Sequence, residues 1–197
     1  MERILGIDPG LDGAFCIMVI DERSHDVQEI VFQKFPTIAN EPDFQRLGDL
    51  FDFFVGCYGI LEKVSAMPHQ GVCSMFKFGR VYGAIQALLH CNRISHIEVR
   101  PQDWQKEIFV GVPAINKETK RGKRKDVKKM AEIQVRRMFP TLDLRPTPRC
   151  ENFHSGMVDA LLLAEWGRRH LPASHQFTEN VIPFPASPKK EDWKDGA

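Results

Sequence analysis

Two apolar runs, residues 3–8 and 14–20, flank the turn Pro9-Gly10-Leu11-Asp12-Gly13. Runs joined by a glycine-rich turn predict a β-hairpin. A hairpin this early commits the chain to a sheet, and later segments must extend that sheet or cover it. The first run ends on Asp8. Aspartate is a poor strand residue and is rarely buried unless paired. Its position therefore calls for a partner from elsewhere in the chain.

The segments that follow alternate in character. Residues 27–35 predict a third strand, with Val27, Ile30, Val31, Phe32 and Phe35 apolar and Pro36 ending it. Residues 41–56 predict a helix, with Pro42 near its start, Leu47, Leu50, Phe51 and Phe54 at helical spacing, and Gly56 as its stop. Residues 58–64 read as a short buried strand and 65–71 as a loop. A long helix is predicted over 72–91, with Met75, Val81, Ile85, Leu88 and Leu89 as its core stripe. A strand over 94–99 ends at Pro101, and helices are predicted over 125–139 and 156–170. The late alternation of strands and helices implies parallel strands with crossover helices, an α/β fold.

Composition bounds the class. With 197 residues, 43% of them hydrophobic, the chain has enough apolar material for one core. The expected division is one domain over 1–171 and a flexible tail over 172–197, rich in Pro, Ser and charge. The five cysteines are odd in number and none is spaced C-x-x-C, which favours free thiols in a reducing, intracellular compartment over disulfides or zinc. Met1-Glu2-Arg3 runs straight into a strand, so no signal peptide is expected, and no apolar run is long enough to span a bilayer.

Three carboxylates stand where charge is costly: Asp8 at a strand end, Glu62 in "GILEKV", and Asp159 in "MVDALLLA". Each has a plain structural reading. Asp8 can cap a turn, Glu62 can pair with an arginine such as Arg80, and Asp159 can face solvent. Taken together, they read as one cluster. Gathered carboxylates repel, and a hard cation such as Mg²⁺ or Mn²⁺ resolves that repulsion. Two such ions can activate water and stabilise the leaving oxygen of a phosphodiester. His154 and Ser155 lie just before the last helix. His154 reads either as a metal or proton-transfer group or as a loop histidine, and Ser155 either shares a face with Asp159 or caps the helix.

Charge is segregated. Residues 117–137 carry ten cations (Lys117, Lys120, Arg121, Lys123, Arg124, Lys125, Lys128, Lys129, Arg136, Arg137) against three anions. That is a net +7 in a chain whose total is +1, leaving −6 for the rest. Such clustering is the footprint of a phosphate-backbone contact, although a charge run is more commonly a solvated face. A second candidate surface is "HQGVCSMFKFGR", where Phe76, Lys77, Phe78 and Arg80 combine aromatic and cationic side chains. Phe76 and Phe78 are two apart on a helix and do not share a face, so one of them belongs to the core.

Five blocks in order, "ILGIDPGLDGA", "LEKVSAMPHQGVCSMFKFGRVYG", "VRPQDWQK", "KRKDVKKMAEIQVRRMFP" and "HSGMVDALLLAEWGRRH", resemble the RuvC-type Holliday junction resolvases of the bacterial, phage and chloroplast branch. The likeness spans residues 3–171. It implies an RNase H-like mixed sheet with flanking helices, and a cytoplasmic or nucleoid-associated homodimer that cuts four-way DNA junctions by paired symmetric nicks. It implies Mg²⁺ as cofactor, with Mn²⁺ as a substitute, and places Asp8, Glu62 and Asp159 in an acidic metal site. It makes residues 67–80 a junction-contacting loop and helix start. The family commonly carries Asp or His three or four residues before its closing carboxylate, where this chain has Gly156 and Ser155. His154 is the stand-in, and Asp12 adds a carboxylate of unassigned role. The expected DNA-contacting residues are Phe76, Lys77, Arg80, Lys120, Arg121, Lys123, Arg124, Lys125 and Lys128. Two alternatives stay open: a nuclease of the same fold acting on another nucleic acid, and a junction-binding protein with weak or no cleavage.

Overall fold

The hairpin is present, with the chain's first two strands paired antiparallel from Glu2↔Ile20 to Asp8↔Ala14. The structure is a computed structural model and describes residues 1–65, 71–119 and 122–170. Its elements are β1 (Glu2–Asp8), β2 (Ala14–Ile20), β3 (Val27–Lys34), β4 (Thr37–Ile38), β5 (Glu41–Pro42), α1 (Phe44–Phe53) and β6 (Tyr58–Glu62), followed by α2 (Val72–Cys91), β7 (His96–Val99), α3 (Pro101–Ile108), β8 (Asn116–Thr119), β9 (Gly122–Lys125), α4 (Val127–Met138) and α5 (Ser155–His170). The expected tail, 172–197, lies outside the described residues.

The main sheet has the order β3-β2-β1-β6-β7. β6 pairs parallel to β1, and β7 parallel to β6, as the alternating pattern implies. Each strand buries alternate residues on opposite faces. Leu5, Ile7, Phe15 and Leu61 join Leu47, Phe51, Val81, Ile85 and Leu89 in the core beneath α1 and α2. Ile4, Cys16, Met18 and Ile60 face the other way, into the core beneath α3, α4 and α5. The result is a mixed sheet between two helical layers.

Helix α5 lies directly on the sheet because glycines let it. A Cβ on Gly6 would meet the Ala160 carbonyl oxygen at 2.0 Å, and one on Gly167 would meet Ile60 Cγ1 at 2.7 Å. These contacts seat α5 across β1, with its N-terminal end at the end of β1 that carries Asp8.

Three local expectations differ from the structure. Pro42 is not in a helix: Glu41–Pro42 forms a short ladder with Thr37–Ile38. Asp43 starts α1 instead, accepting from the Arg46 N–H at 3.0 Å, because an aspartate N-cap satisfies a donor that Pro42 cannot. Pro101 does more than end a strand. It occupies the first turn of α3, where its missing N–H costs nothing, and Arg100 bonds Asp103 at 2.8 Å. The basic stretch ahead of α4 is a second antiparallel ribbon, β8–β9, which carries no apolar alternation to reveal it. All five cysteines are free thiols; Cys16 and Cys57 are buried, Cys73 and Cys91 exposed. Among the described residues, no helix is long and apolar enough to cross a membrane.

Candidate functional site

Asp8 ends β1 and Glu62 ends β6. The two strands are parallel neighbours, with Ile7 opposite Leu61, so Asp8 and Glu62 stand one register further along on the same face. That face is the one α5 covers, and Asp159 sits on α5 one residue before Ala160, which touches Gly6. Three segments far apart in sequence thus deliver three carboxylates to one end of the sheet.

Their electrostatics register this proximity. Burial pushes the Asp8 carboxyl well above the usual carboxylate range, the charges of Asp159 and Glu62 push it further, Lys128 opposes, and Asp12 adds a smaller upward push. Asp159 is raised to about 7 by burial and by Glu62, again opposed by Lys128. Glu62 is raised by burial and partly restored by a hydrogen bond from the Trp104 indole. That bond runs from Nε1 to Oε1 at 3.0 Å, and Trp104 is fully buried. The arginine pairing read for Glu62 does not occur; its partner is Trp104. Nor does Asp159 face open solvent. Among the described residues, the side-chain carboxylates of Asp8 and Asp159 accept no hydrogen bond and form no ion pair.

Five residues before Asp159, His154 caps α5. Its carbonyl accepts from Val158 N–H at 3.0 Å and its ring Nδ1 accepts from Met157 N–H at 3.3 Å. Nδ1 therefore carries no proton, and the ring's hydrogen sits on Nε2 in the neutral form. The helix cap is His154; Ser155 is the first helical residue and receives Lys128 Nζ at 3.5 Å. Burial holds the His154 imidazole below its ordinary range, Lys34 and Lys128 add to this, and Asp12 opposes. Gly156 has no room for a side chain: a Cβ there would lie 2.2 Å from the Asp12 carbonyl oxygen and 2.7 Å from Gly13 Cα. The missing carboxylate at position 156 is thus a packing consequence of the β1–β2 turn lying against α5.

A cleft of about 370 Å³ opens beside Asp159, which alone of the three carboxylates lines it. Asp159, Ser155, Lys117, Lys128 and Lys129 are among the residues lining it.

No protein-family model matches this sequence, and no curated protein does. Solved structures match by shape. Thermus thermophilus RuvC in complex with a Holliday junction substrate superposes with a TM-score of 0.55 at 16% identity, over 84% of this chain and 92% of that one. A second structure of Thermus thermophilus RuvC gives 0.52 at 15%, over 85% and 95%.

The chain has the RuvC fold. Within it, Asp8 ends its strand and Asp159 lies on the closing helix as expected, while Glu62 ends a strand that the sequence predicts to run on to Val64. Among the described residues, no three His, Cys, Asp or Glu side chains converge closely enough to cage an ion as they stand. The donor set still has the right chemistry for a hard divalent cation: hard carboxylate oxygens that feel one another's charge, partly desolvated, with Lys128 as the counter-charge for Asp8 and Asp159.

The expected DNA-contacting residues fall on two surfaces. On α2, Phe76 is 68% exposed, Arg80 is exposed over the Phe44 ring, and Lys77 pairs with Glu41. Phe78 is the more buried of the two phenylalanines and stacks on Tyr82. Lys123, Arg124 and Lys125 project from β9, and Lys128 from α4, all exposed. Lys120 and Arg121 lie outside the described residues, as do residues 66–70 of the expected junction-contacting loop. Reading the sequence missed Trp104 and the placement of Lys117. Trp104 was detectable: Pro101 at a helix start, followed by Trp104 and Ile108 four apart, is a one-sided short helix.

Proposed function

We propose that this protein is a metal-dependent endonuclease that resolves four-way DNA junctions by paired symmetric nicks. The observation carrying this reading is the cluster of Asp8, Glu62 and Asp159, three mutually repelling carboxylates at one end of a RuvC-fold sheet. Uncompensated charge in such a place costs stability, and proteins retain it where function uses it.

In this reading Asp8, Glu62 and Asp159 hold Mg²⁺, with Mn²⁺ as a substitute. The bound cation supplies an activated water and charge stabilisation of the leaving oxygen. Trp104 fixes the orientation of Glu62 through its indole N–H. Lys128 counters the carboxylates before the substrate arrives and offers its ammonium to the incoming phosphate. His154, held by its Nδ1 cap, presents Nε2 for binding or for moving a proton. The cations of β9 and the Phe76–Arg80 surface hold the DNA backbone. Two symmetric nicks require two active sites, so the working unit is a homodimer.

A second reading is a junction-binding protein that does not cut. It is favoured by the open spacing of the carboxylates, which do not converge as a cage. One assay separates the two: a labelled four-way junction and a linear duplex of the same sequence, incubated with the protein with and without Mg²⁺ or Mn²⁺. Paired nicks in opposing strands of the junction alone, abolished by Asp8→Asn, establish the nuclease. Tight junction binding with no nicks in either metal leaves the binding protein, and cleavage of linear duplex in preference to the junction overturns both.

A further inference from the structure

The β8–β9 ribbon has no evident reason to exist as a folding unit. All eight of its residues are exposed and none is a large apolar side chain. A two-stranded ribbon without a hydrophobic face is marginal in water. It is anchored at its base, where Asp126 N–H bonds the Ile115 carbonyl at 2.7 Å, and Lys117 reaches Asp126 Oδ1 at 3.4 Å. What it carries is charge, and the register sorts that charge onto two faces. Directly paired residues of an antiparallel ribbon project to the same side. Lys117 lies opposite Arg124, and Lys125 opposite Asn116, with Lys123 opposite Glu118 one step further on that second side.

The first face is turned towards the catalytic cleft, because Lys117 lines it together with Lys128, Ser155 and Asp159. The second face, with Lys123 and Lys125, points away. The ion pair Lys123–Glu118 on this face, at 3.8 Å, joins side chains that are both 76% exposed, so it neutralises little. Cations on opposite faces of a ribbon cannot grip the same stretch of backbone when one face is committed to the strand in the cleft.

We propose that the β8–β9 ribbon is a wedge between two arms of branched DNA. Lys117 and Arg124 hold phosphates of the arm entering the cleft, and Lys123 and Lys125 hold phosphates of a second arm. The ribbon is then a source of selectivity for branched over linear DNA, since only a branched substrate satisfies both faces. This rests on the junction-nuclease reading above.

The test is binding by the full chain to a four-way junction and to a linear duplex of the same sequence, by fluorescence anisotropy without divalent metal across a range of salt. Lys117→Gln/Arg124→Gln should flatten the dependence of log affinity on log salt by about 2 on both DNAs, since each phosphate no longer neutralised removes about 0.9 from the slope. Lys123→Gln/Lys125→Gln should flatten it by about 2 on the junction and leave the duplex unchanged, lowering the junction-over-duplex preference. Circular dichroism should show both variants folded, as expected for exposed positions. Equal losses on both DNAs from the outer pair, or no loss on either, overturn the wedge. A wild-type protein that binds junction and duplex alike overturns the reading beneath it, whatever the variants do.

Discussion

Trp104 on α3 donates its indole N–H to Glu62 on β6 across 42 residues of sequence, at 3.0 Å, in a fully buried position. The bond does two things. It satisfies the one polar atom of a buried tryptophan, and it holds a desolvated carboxylate in one orientation at the edge of the acidic cluster. Trp104→Phe keeps an aromatic ring but deletes the donor and part of the indole's packed volume. The buried Glu62 oxygen is then left short of a partner, at a cost of about 1–3 kcal/mol. The expected result is a lower melting temperature, together with a junction-cleavage rate that needs more Mg²⁺ to saturate. Unchanged Mg²⁺ dependence would show that Trp104 only packs.

The cluster also sets a pH dependence for the metal-free protein. The Asp159 carboxyl is raised to about 7 and Asp8 is raised as well, whereas in the unfolded chain both ionise near pH 4. Between those limits the native state binds more protons than the unfolded state, so stability falls as pH rises through the window from about 4 to about 7. Each unit of separation is worth of order 1 kcal/mol. Thermal unfolding in chelator should show a protein more stable near pH 5 than near pH 8. Saturating Mg²⁺ should raise the melting temperature more at pH 8 than at pH 5, because only the ionised carboxylates bind it. A flat profile in chelator would argue that neither burial nor the neighbouring charges raise Asp8 and Asp159 in the folded protein.

Gly156 invites a repair that the structure predicts will fail. Replacing it with aspartate supplies the acidic side chain the resemblance leads one to expect. But a Cβ at 156 meets backbone atoms of Asp12 and Gly13, at 2.2 and 2.7 Å, which cannot rotate away. Gly156→Asp and Gly156→Ala should both destabilise by roughly 1–3 kcal/mol, the cost of overpacking. Neither should improve cleavage. A Gly156→Asp protein that melts like wild type and cuts faster would reverse this.

His154 has two separable jobs, one per ring nitrogen. Nδ1 caps α5 by accepting from Met157 N–H, and in the proposed nuclease Nε2 is the nitrogen left for binding or proton transfer. Asparagine is a good N-cap but has no imidazole, whereas alanine has neither. His154→Asn should therefore keep the melting temperature close to wild type while lowering junction cleavage. His154→Ala should lower both, with a stability cost of about 1 kcal/mol. Full activity in His154→Asn would assign the residue to capping alone.

Much of the fold was legible in the residues because local pattern and tertiary role agree there. Strand β2 and helix α2 occupy the spans their apolar spacing predicts, and α2 buries Val81, Ile85 and Leu89 of the expected stripe. Asp8, Glu62 and Asp159 stood out because a charge amid apolar neighbours is costly wherever the chain places it. The elements that escaped are those whose signal is short or polar. Helix α3 has only 8 residues, and the β8–β9 ribbon has no hydrophobic period.

The sequence by itself determined the order of the five main-sheet strands and of the longer helices, the three misplaced carboxylates and the segregation of positive charge, since these follow from side-chain chemistry along the chain. Tertiary structure alone decided that Trp104 bonds Glu62, that position 156 must be glycine, and that His154 rather than Ser155 caps α5. Each depends on which backbone lies within a few ångströms across the fold. α5 packs against Gly6 and the Asp12–Gly13 turn because side chains are absent there, and no periodicity along one segment records what another segment brings against it.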